Sequence, residues 1–239
     1  MKATDFEFRW RWSVISGIYS AAFFCYFFDR QNFVVALYYG WLHVHNKNSW
    51  TSVRLAFAVA TLVAVLAALI RTWATAYLSA DVVQDTRLHS SRLVADGPYR
   101  YVRNPLYLGN LLLAISYTAM ASRLGGCILI AGHLIFLPRL IGREEAELLA
   151  NQGEPYRNYL NAVPRLIPAW KARVAPGTAK PNWINGFSGE FMMWAFAAAL
   201  AAFAATLDLQ LFFVFLGIAI GGSLGIKWGL ARKRRLAGR

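Results

Sequence analysis

Acidic residues are scarce: 12 Asp and Glu stand against 25 Lys and Arg in a chain of 239 residues, a formal net charge of +13. Charge of either sign is thin as well, at 15% of residues, where a soluble domain carries roughly 25%. That excludes an ordinary aqueous surface and a charge-rich disordered chain. Cysteine is limited to Cys25 and Cys127, both in apolar runs, so neither a disulfide scaffold nor a zinc framework fits, and no metal site is expected. Collagen-like and coiled-coil periods are missing. No internal repeat and no low-complexity linker divides the chain, which reads as one membrane domain over residues 1–239. What is plentiful is apolar: 57% hydrophobic residues, 15% aromatics and a mean hydropathy of +0.38. A basic excess points to nucleic acid or to an anionic membrane surface. With this hydropathy the membrane reading prevails, and a nucleic-acid partner is not needed.

Six runs free of charge can be read off directly: Trp12–Phe28, Leu55–Ile70, Asn104–Ser122, Leu124–Pro138, Phe191–Leu207 and Leu209–Ile226. A helix needs about 20 residues to cross the hydrocarbon, with a range of roughly 17–25, and most runs fit once their flanks are included. The second pattern continues past Arg71 to Ala80, which makes Arg71 an intramembrane or snorkelling charge. The third and fourth runs read as a short helical hairpin turning at Gly125-Gly126. Phe33–Leu42 is too short to span and reads as interfacial. Pro138 is expected to kink the fourth helix as it leaves the membrane. The first helix shows no cleavage site and is read as a retained anchor.

Six crossings return both termini to one side. Of the 25 Lys and Arg, 20 fall on that side and four (Arg30, Lys47, Arg54 and Arg123) on the other, with Arg71 between. Positive residues stay cytoplasmic, so the expectation is a multi-pass protein with both termini and the stretches 81–105 and 139–190 in the cytosol. Residues 1–80 then hold the N-terminal helices and the interfacial segment, 81–170 the polar core, and 171–239 a C-terminal helix pair with a basic tail.

The polar residues with chemical potential concentrate in two cytoplasmic blocks. In the first, Gly97-Pro98 marks a turn, and Asn104-Pro105 starts a helix with Pro in its first turn. Arg103 lies beside that helix N-terminus, where backbone N–H groups favour an anion such as a carboxylate or phosphate. The alternative is that Arg100 and Arg103 are positive-inside anchors beside an aromatic belt of Tyr99, Tyr101 and Tyr107. The second block holds Arg139, Arg143, Glu144 and Glu145, then Gly153, Tyr156, Tyr159 and Val163-Pro164. Neighbouring helix positions point about 100° apart, so one of the two glutamates at most faces a given pocket. A carboxylate suits ribose hydroxyls; the alternative is a solvated face that pairs with Arg139 and Arg143.

Taken together, Gly97-x-Tyr99-x-x-x-Arg103-x-Pro105-x-Tyr107-x-Gly109, a hairpin, Glu144-Glu145 and Gly153-x-x-Tyr156-x-x-Tyr159-x-x-x-Val163-Pro164 resemble isoprenylcysteine carboxyl methyltransferase and its membrane relatives, the phospholipid N-methyltransferases among them. The resemblance covers roughly residues 81–170. It implies an all-α integral membrane fold of about six transmembrane helices, including a short hairpin, with cytoplasmic segments that bind S-adenosyl-L-methionine and a lipophilic substrate that enters from the bilayer. It implies cofactor contacts at Gln84, Leu93, Val94, Tyr99, Asn104, Pro105, Leu106, Tyr107 and Glu144, with Glu145 beside them, and it brings Arg103 to the reaction centre as the catalytic residue. Arg139 and Arg143 are the positions for substrate binding. Two departures stand out: the family typically has His where this chain has Asn104, and the eukaryotic carboxyl methyltransferases have Arg where this chain has Leu140.

Methyl transfer is an in-line displacement in which positioning dominates. A carboxylate acceptor needs no base. An amine acceptor must first lose a proton, to Glu145 or a tyrosine, because no histidine falls in either block; His133, in an apolar helix, reads as a packing residue. The expected activity is therefore methyl transfer from S-adenosylmethionine to the carboxylate of a prenylated or other lipophilic compound. Alternatives are a phospholipid or other lipid N-methyltransferase, an NADPH-dependent sterol-type membrane reductase, and a non-catalytic membrane scaffold of the same fold. Elsewhere, Gly217, Gly221 and Gly225 form a small-residue ridge suited to packing within the chain or to a homodimer. The tail Arg232-Lys233-Arg234-Arg235 suits anionic lipid.

Overall fold

The computed structural model describes residues 2–41, 50–78 and 95–237, and among them every regular element is helical. Helix α1 (Asp5–Arg9) begins on a capping box: Thr4 Oγ1 accepts from the Glu7 N–H, and the Glu7 carboxylate accepts from the Thr4 N–H over 2.7 Å. Then come α2 (Arg11–Phe24), α3 (Phe33–Trp41) and α4 (Trp50–Tyr77). A 3-10 turn at Gly97–Arg100 leads to α5 (Pro105–Tyr117), which runs on as a second such turn to Met120. The chain closes with α6 (Arg123–Gln152), α7 (Glu154–Ala162), α8 (Trp183–Gly189), α9 (Phe191–Thr206) and α10 (Leu209–Ala237).

Two of these helices, α4 over Thr51–Tyr77 and α6, are long and apolar enough to cross a membrane. The pair α8 and α9, bent by 60° at the break between them, makes a third span if it is counted as one. Pro105–Met120 and Leu209–Ser223 are shorter apolar helices. Helix α4 lies at the centre, packed against α5 on one side and α9 on the other; α10 packs on α9, and α2 on α6. Small residues set these distances. Ala60, Ala64, Ala67 and Ala68 of α4 share a buried core with Ala197, Ala199, Leu200 and Ala204 of α9, and without long side chains the two helices approach closely. One face of the alanine-rich run of α9 is thus packed core, while Ala198, Ala201 and Ala205 are exposed.

The hairpin differs from expectation. The chain turns at Thr118–Ser122, and Ser122 caps α6 by accepting from the Gly125 N–H over 3.1 Å. Gly125 and Gly126 lie inside the first turn of α6 and make no turn of their own. Their missing side chains admit neighbours instead: a Cβ on Gly125 would strike the Ala22 carbonyl, and one on Gly126 would stand 2.6 Å from the Phe33 ring. A glycine pair reads as turn punctuation in sequence, but close helix contact requires the same bareness. The second arm is also longer than the run Leu124–Pro138. Helix α6 continues through Pro138 for 30 residues, about 45 Å at 1.5 Å per residue, and so carries Glu144 and Glu145 on the same rod as the apolar segment. A Cβ on Gly217, Gly221 or Gly225 would meet nothing within 4 Å among the described residues.

Candidate functional site

Asn104 precedes a proline, which disfavours helical backbone; it sits at φ −122°, ψ 59° as the residue before α5. Its side chain caps nothing locally. It crosses to α6 instead, where its amide donates to Glu145 Oε1 over 3.2 Å and to the Arg165 carbonyl over 3.0 Å. Glu145, almost fully buried, is the hub of this end of the molecule. It also accepts from Arg103 Nε at 3.1 Å and from Arg165, whose Nε lies at 3.0 Å and whose Nη2 is closer still. Arg103 Nη1 donates to the carbonyls of Leu160 and, over 2.7 Å, Val163. Nη2 of Arg103 makes no hydrogen bond among the described residues.

Backbone pairing holds the surrounding loops in register. The Arg103 N–H donates to Pro164, Ala169 to Tyr101 and Arg173 to Arg100, all within 2.9 Å. The stretch 163–173 is therefore fastened along 100–103, directly over the start of α5. The bond between Tyr159 Oη and the Tyr99 carbonyl, 2.8 Å, closes the same corner. Burial pushes the phenols of Tyr99, Tyr156 and Tyr159 upward, so near neutrality they are hydrogen-bond donors and poor bases. The Tyr99 hydroxyl is buried and has no partner among the described residues.

Glu144 points elsewhere, as adjacent helix residues must. It accepts from Tyr107 Oη over 2.6 Å, a bond between the first turn of α5 and α6. The structure thus brings Tyr99, Arg103, Asn104, Pro105, Leu106, Tyr107, Glu144 and Glu145 to one end of the α5–α6 pair. Gln84, Leu93 and Val94 lie outside the described residues. Arg139 and Arg143 face the N-terminal segment: Arg139 binds the Glu7 carboxylate at 2.8 Å and 2.9 Å, and Arg143 binds Asp5 at 2.6 Å and Glu147 at 2.7 Å. The guanidinium groups of Arg11 and Arg143 both lie over the Phe8 ring. Leu140 is fully buried with Phe8, Phe136 and Leu137. Glu144 binds Tyr107, and Glu145 binds Arg103, Asn104 and Arg165, so Glu145, which is buried, does not belong to a solvated face.

A second polar centre escaped the sequence reading. Arg71 of α4 binds Glu190 in fork geometry, Nε to Oε2 at 2.6 Å and Nη2 to Oε1 at 2.9 Å, with both side chains buried. Thr75 Oγ1 donates to the same carboxylate over 2.6 Å. Arg71 Nη1 reaches α5, where it donates to the Leu106 carbonyl at 3.1 Å and to Asn110 Oδ1 at 2.8 Å. The available signal was compositional: Glu190 is the only acidic residue between Glu154 and Asp208, and an intramembrane arginine needs such a partner. His133 is a buried packing residue, with Nδ1 2.8 Å from the Leu129 carbonyl and the ring edge-on to Tyr19. A cavity of about 360 Å³ lined by Tyr26, Asn32, Phe57, Met120, Phe203 and Leu209 lies by Met120, at the opposite end of α5 from Asn104.

Helices suited to a bilayer, with a buried arginine–carboxylate centre at one end of them, define an integral membrane protein with a polar site. Residues 50–150 match the model of the Isoprenylcysteine carboxyl methyltransferase (ICMT) family, so this stretch of the chain is similar to that family. The match begins at α4, upstream of the motif blocks, and stops short of the Gly153–Val163 block. No curated protein and no solved structure matches the chain.

Proposed function

We propose that this chain is an S-adenosylmethionine-dependent methyltransferase that acts on the carboxylate of a lipophilic, membrane-borne compound. The carrying observation is the convergence of Arg103, Asn104 and Tyr107, from the start of α5, on Glu144 and Glu145 of α6 within the family-matched region. S-adenosylmethionine supplies a sulfonium methyl group as the electrophile. The residues present fit it. Glu144 accepts one bond from Tyr107, and a carboxylate has about four acceptor positions, which leaves capacity for ribose hydroxyls. The Tyr99 hydroxyl, buried and without a partner among the described residues, is a donor free for an acceptor on the cofactor.

Arg103 orients the acceptor. Its Nε and Nη1 are held by Glu145 and two carbonyls, and its Nη2 remains for one oxygen of a carboxylate. A single contact of this kind aligns the nucleophile without the full bidentate grip that would blunt it. Buried, protonated tyrosines are poor bases and Glu145 is already engaged by three donors, so an amine acceptor would have to give its proton to Glu144, whereas a carboxylate acceptor needs no base. The basic face supports a cytosolic site with both termini on that side.

Heating the detergent-purified protein with S-adenosylhomocysteine, with NADPH and with neither ligand tests the reading. Stabilisation that rises with S-adenosylhomocysteine concentration alone is expected. A shift with NADPH would support the reductase instead, and no shift with either would support a scaffold.

A further inference from the structure

We propose that the buried Arg71–Glu190 pair is a positioning device that fixes the first turn of α5, and with it Asn104 and Tyr107, for ligand binding; its link to cofactor affinity rests on the function proposed above. A guanidinium has five N–H donors. Four of those on Arg71 are used, two on Glu190 and two on α5. One side chain therefore holds three elements together: α4, the residue at the α8–α9 bend, and the opening of α5.

The contact point is specific. Leu106 lies immediately before Tyr107 and two residues after Asn104, so the peptide that Arg71 grips is adjacent to both site residues. Displacing that carbonyl carries the Tyr107 hydroxyl away from Glu144. Gly109 belongs to the same arrangement. A Cβ there would stand 2.8 Å from Arg71 Cδ and closer still to Cγ, so the glycine leaves the corridor through which the arginine stem reaches α5. Thr75 completes the carboxylate shell, and Trp194 Nε1 donates to Thr72 Oγ1 over 2.9 Å beside it. The Glu190 carboxylate is thereby held from α4 by Arg71 and Thr75, while Trp194 ties α9 to α4 beside it.

A merely structural ion pair and a positioning one make different predictions. Apolar replacement of a buried pair commonly preserves stability, but methionines cannot bind the Leu106 carbonyl or Asn110. The double variant R71M/E190M is expected to melt within a few degrees of wild type and to bind S-adenosylhomocysteine about fivefold more weakly or worse, in the range usual for coupled residues. Wild-type melting together with wild-type affinity would overturn the proposal. If the double variant does not fold, Asn110→Leu decides the matter, since it removes the side-chain one of the two α5 acceptors and leaves the ion pair intact. Faster amide hydrogen exchange confined to residues 104–110 is expected for it, and unchanged exchange there would refute the positioning role. Should wild type bind no S-adenosylhomocysteine, the cofactor reading fails, while the exchange comparison still decides whether Arg71 orders α5.

Discussion

The Tyr107 hydroxyl donates to Glu144 Oε1 over 2.6 Å, and this bond joins the opening turn of α5 to the middle of the polar half of α6. Both partners come from the two blocks that stood out in the sequence, and each fixes the other. Tyr107→Phe leaves a half-buried carboxylate short of a donor, which costs about 1 kcal/mol. Combined with Glu144→Ala, the two changes are expected to be non-additive by about 1 kcal/mol in a double-mutant cycle on stability. Strict additivity would show the bond to be idle. Glu144→Ala in folded protein should also weaken S-adenosylhomocysteine binding, measured by titration calorimetry; unchanged affinity would remove the ribose role.

Glu145 should matter more for stability than its neighbour. Its removal leaves Arg103 buried without a counter-charge, and breaking a buried pair costs about 3–5 kcal/mol. The lower end applies because the Arg165 side chain is 50% exposed and is compensated by solvent. The expected order of melting temperatures in detergent is Arg165→Ala highest, then Glu145→Gln, then Glu145→Ala. A Glu145→Ala protein as stable as Arg165→Ala would contradict the hub role.

Acid should release the N-terminal segment. The Arg139 hydrogen bond holds the Glu7 carboxyl down at about 2 from its usual 4.5. A carboxylate with a lowered folded value contributes stability that is complete above the unfolded value and lost as pH falls through the folded one. Docking of α1 on α6 should therefore be intact above about pH 4.5 and fail progressively toward pH 2. Limited proteolysis within residues 2–10 across this window reports it, and Glu7→Gln should remove most of the pH dependence.

Gly126 should reject a side chain. Gly126→Leu drives into the Phe33 ring, and overpacking of this kind costs about 1–3 kcal/mol. Adding Phe33→Ala should recover part of the loss. A Gly126→Leu protein with unchanged melting would show that α3 does not pack there.

The helical class, the membrane character and the start of α5 were legible because each is written locally, in apolar runs, in scarce charge and in Asn104-Pro105. The meeting of Arg103 and Asn104 with Glu145 was not, since those contacts join residues about 40 apart and depend on where α6 falls. Gly125-Gly126 misled because composition does not distinguish a turn from a close crossing. Glu190 was invisible in its role for the same reason: it lies 119 positions from Arg71, and no local pattern announces its partner.

That separation has a consequence for how the protein is made. At roughly 5–20 residues per second, on the order of ten seconds pass between synthesis of Arg71 and synthesis of Glu190. During that interval Arg71, six residues from the end of α4, lacks the carboxylate that later neutralises it, a burden of at most about 2.5–3.5 kcal/mol, the cost of an arginine at the centre of a membrane helix. The apolar residues of α4 carry this alone. Membrane assembly of the chain thus contains an ordered handover, in which the last third releases the first from an electrostatic debt and only then completes the site between them.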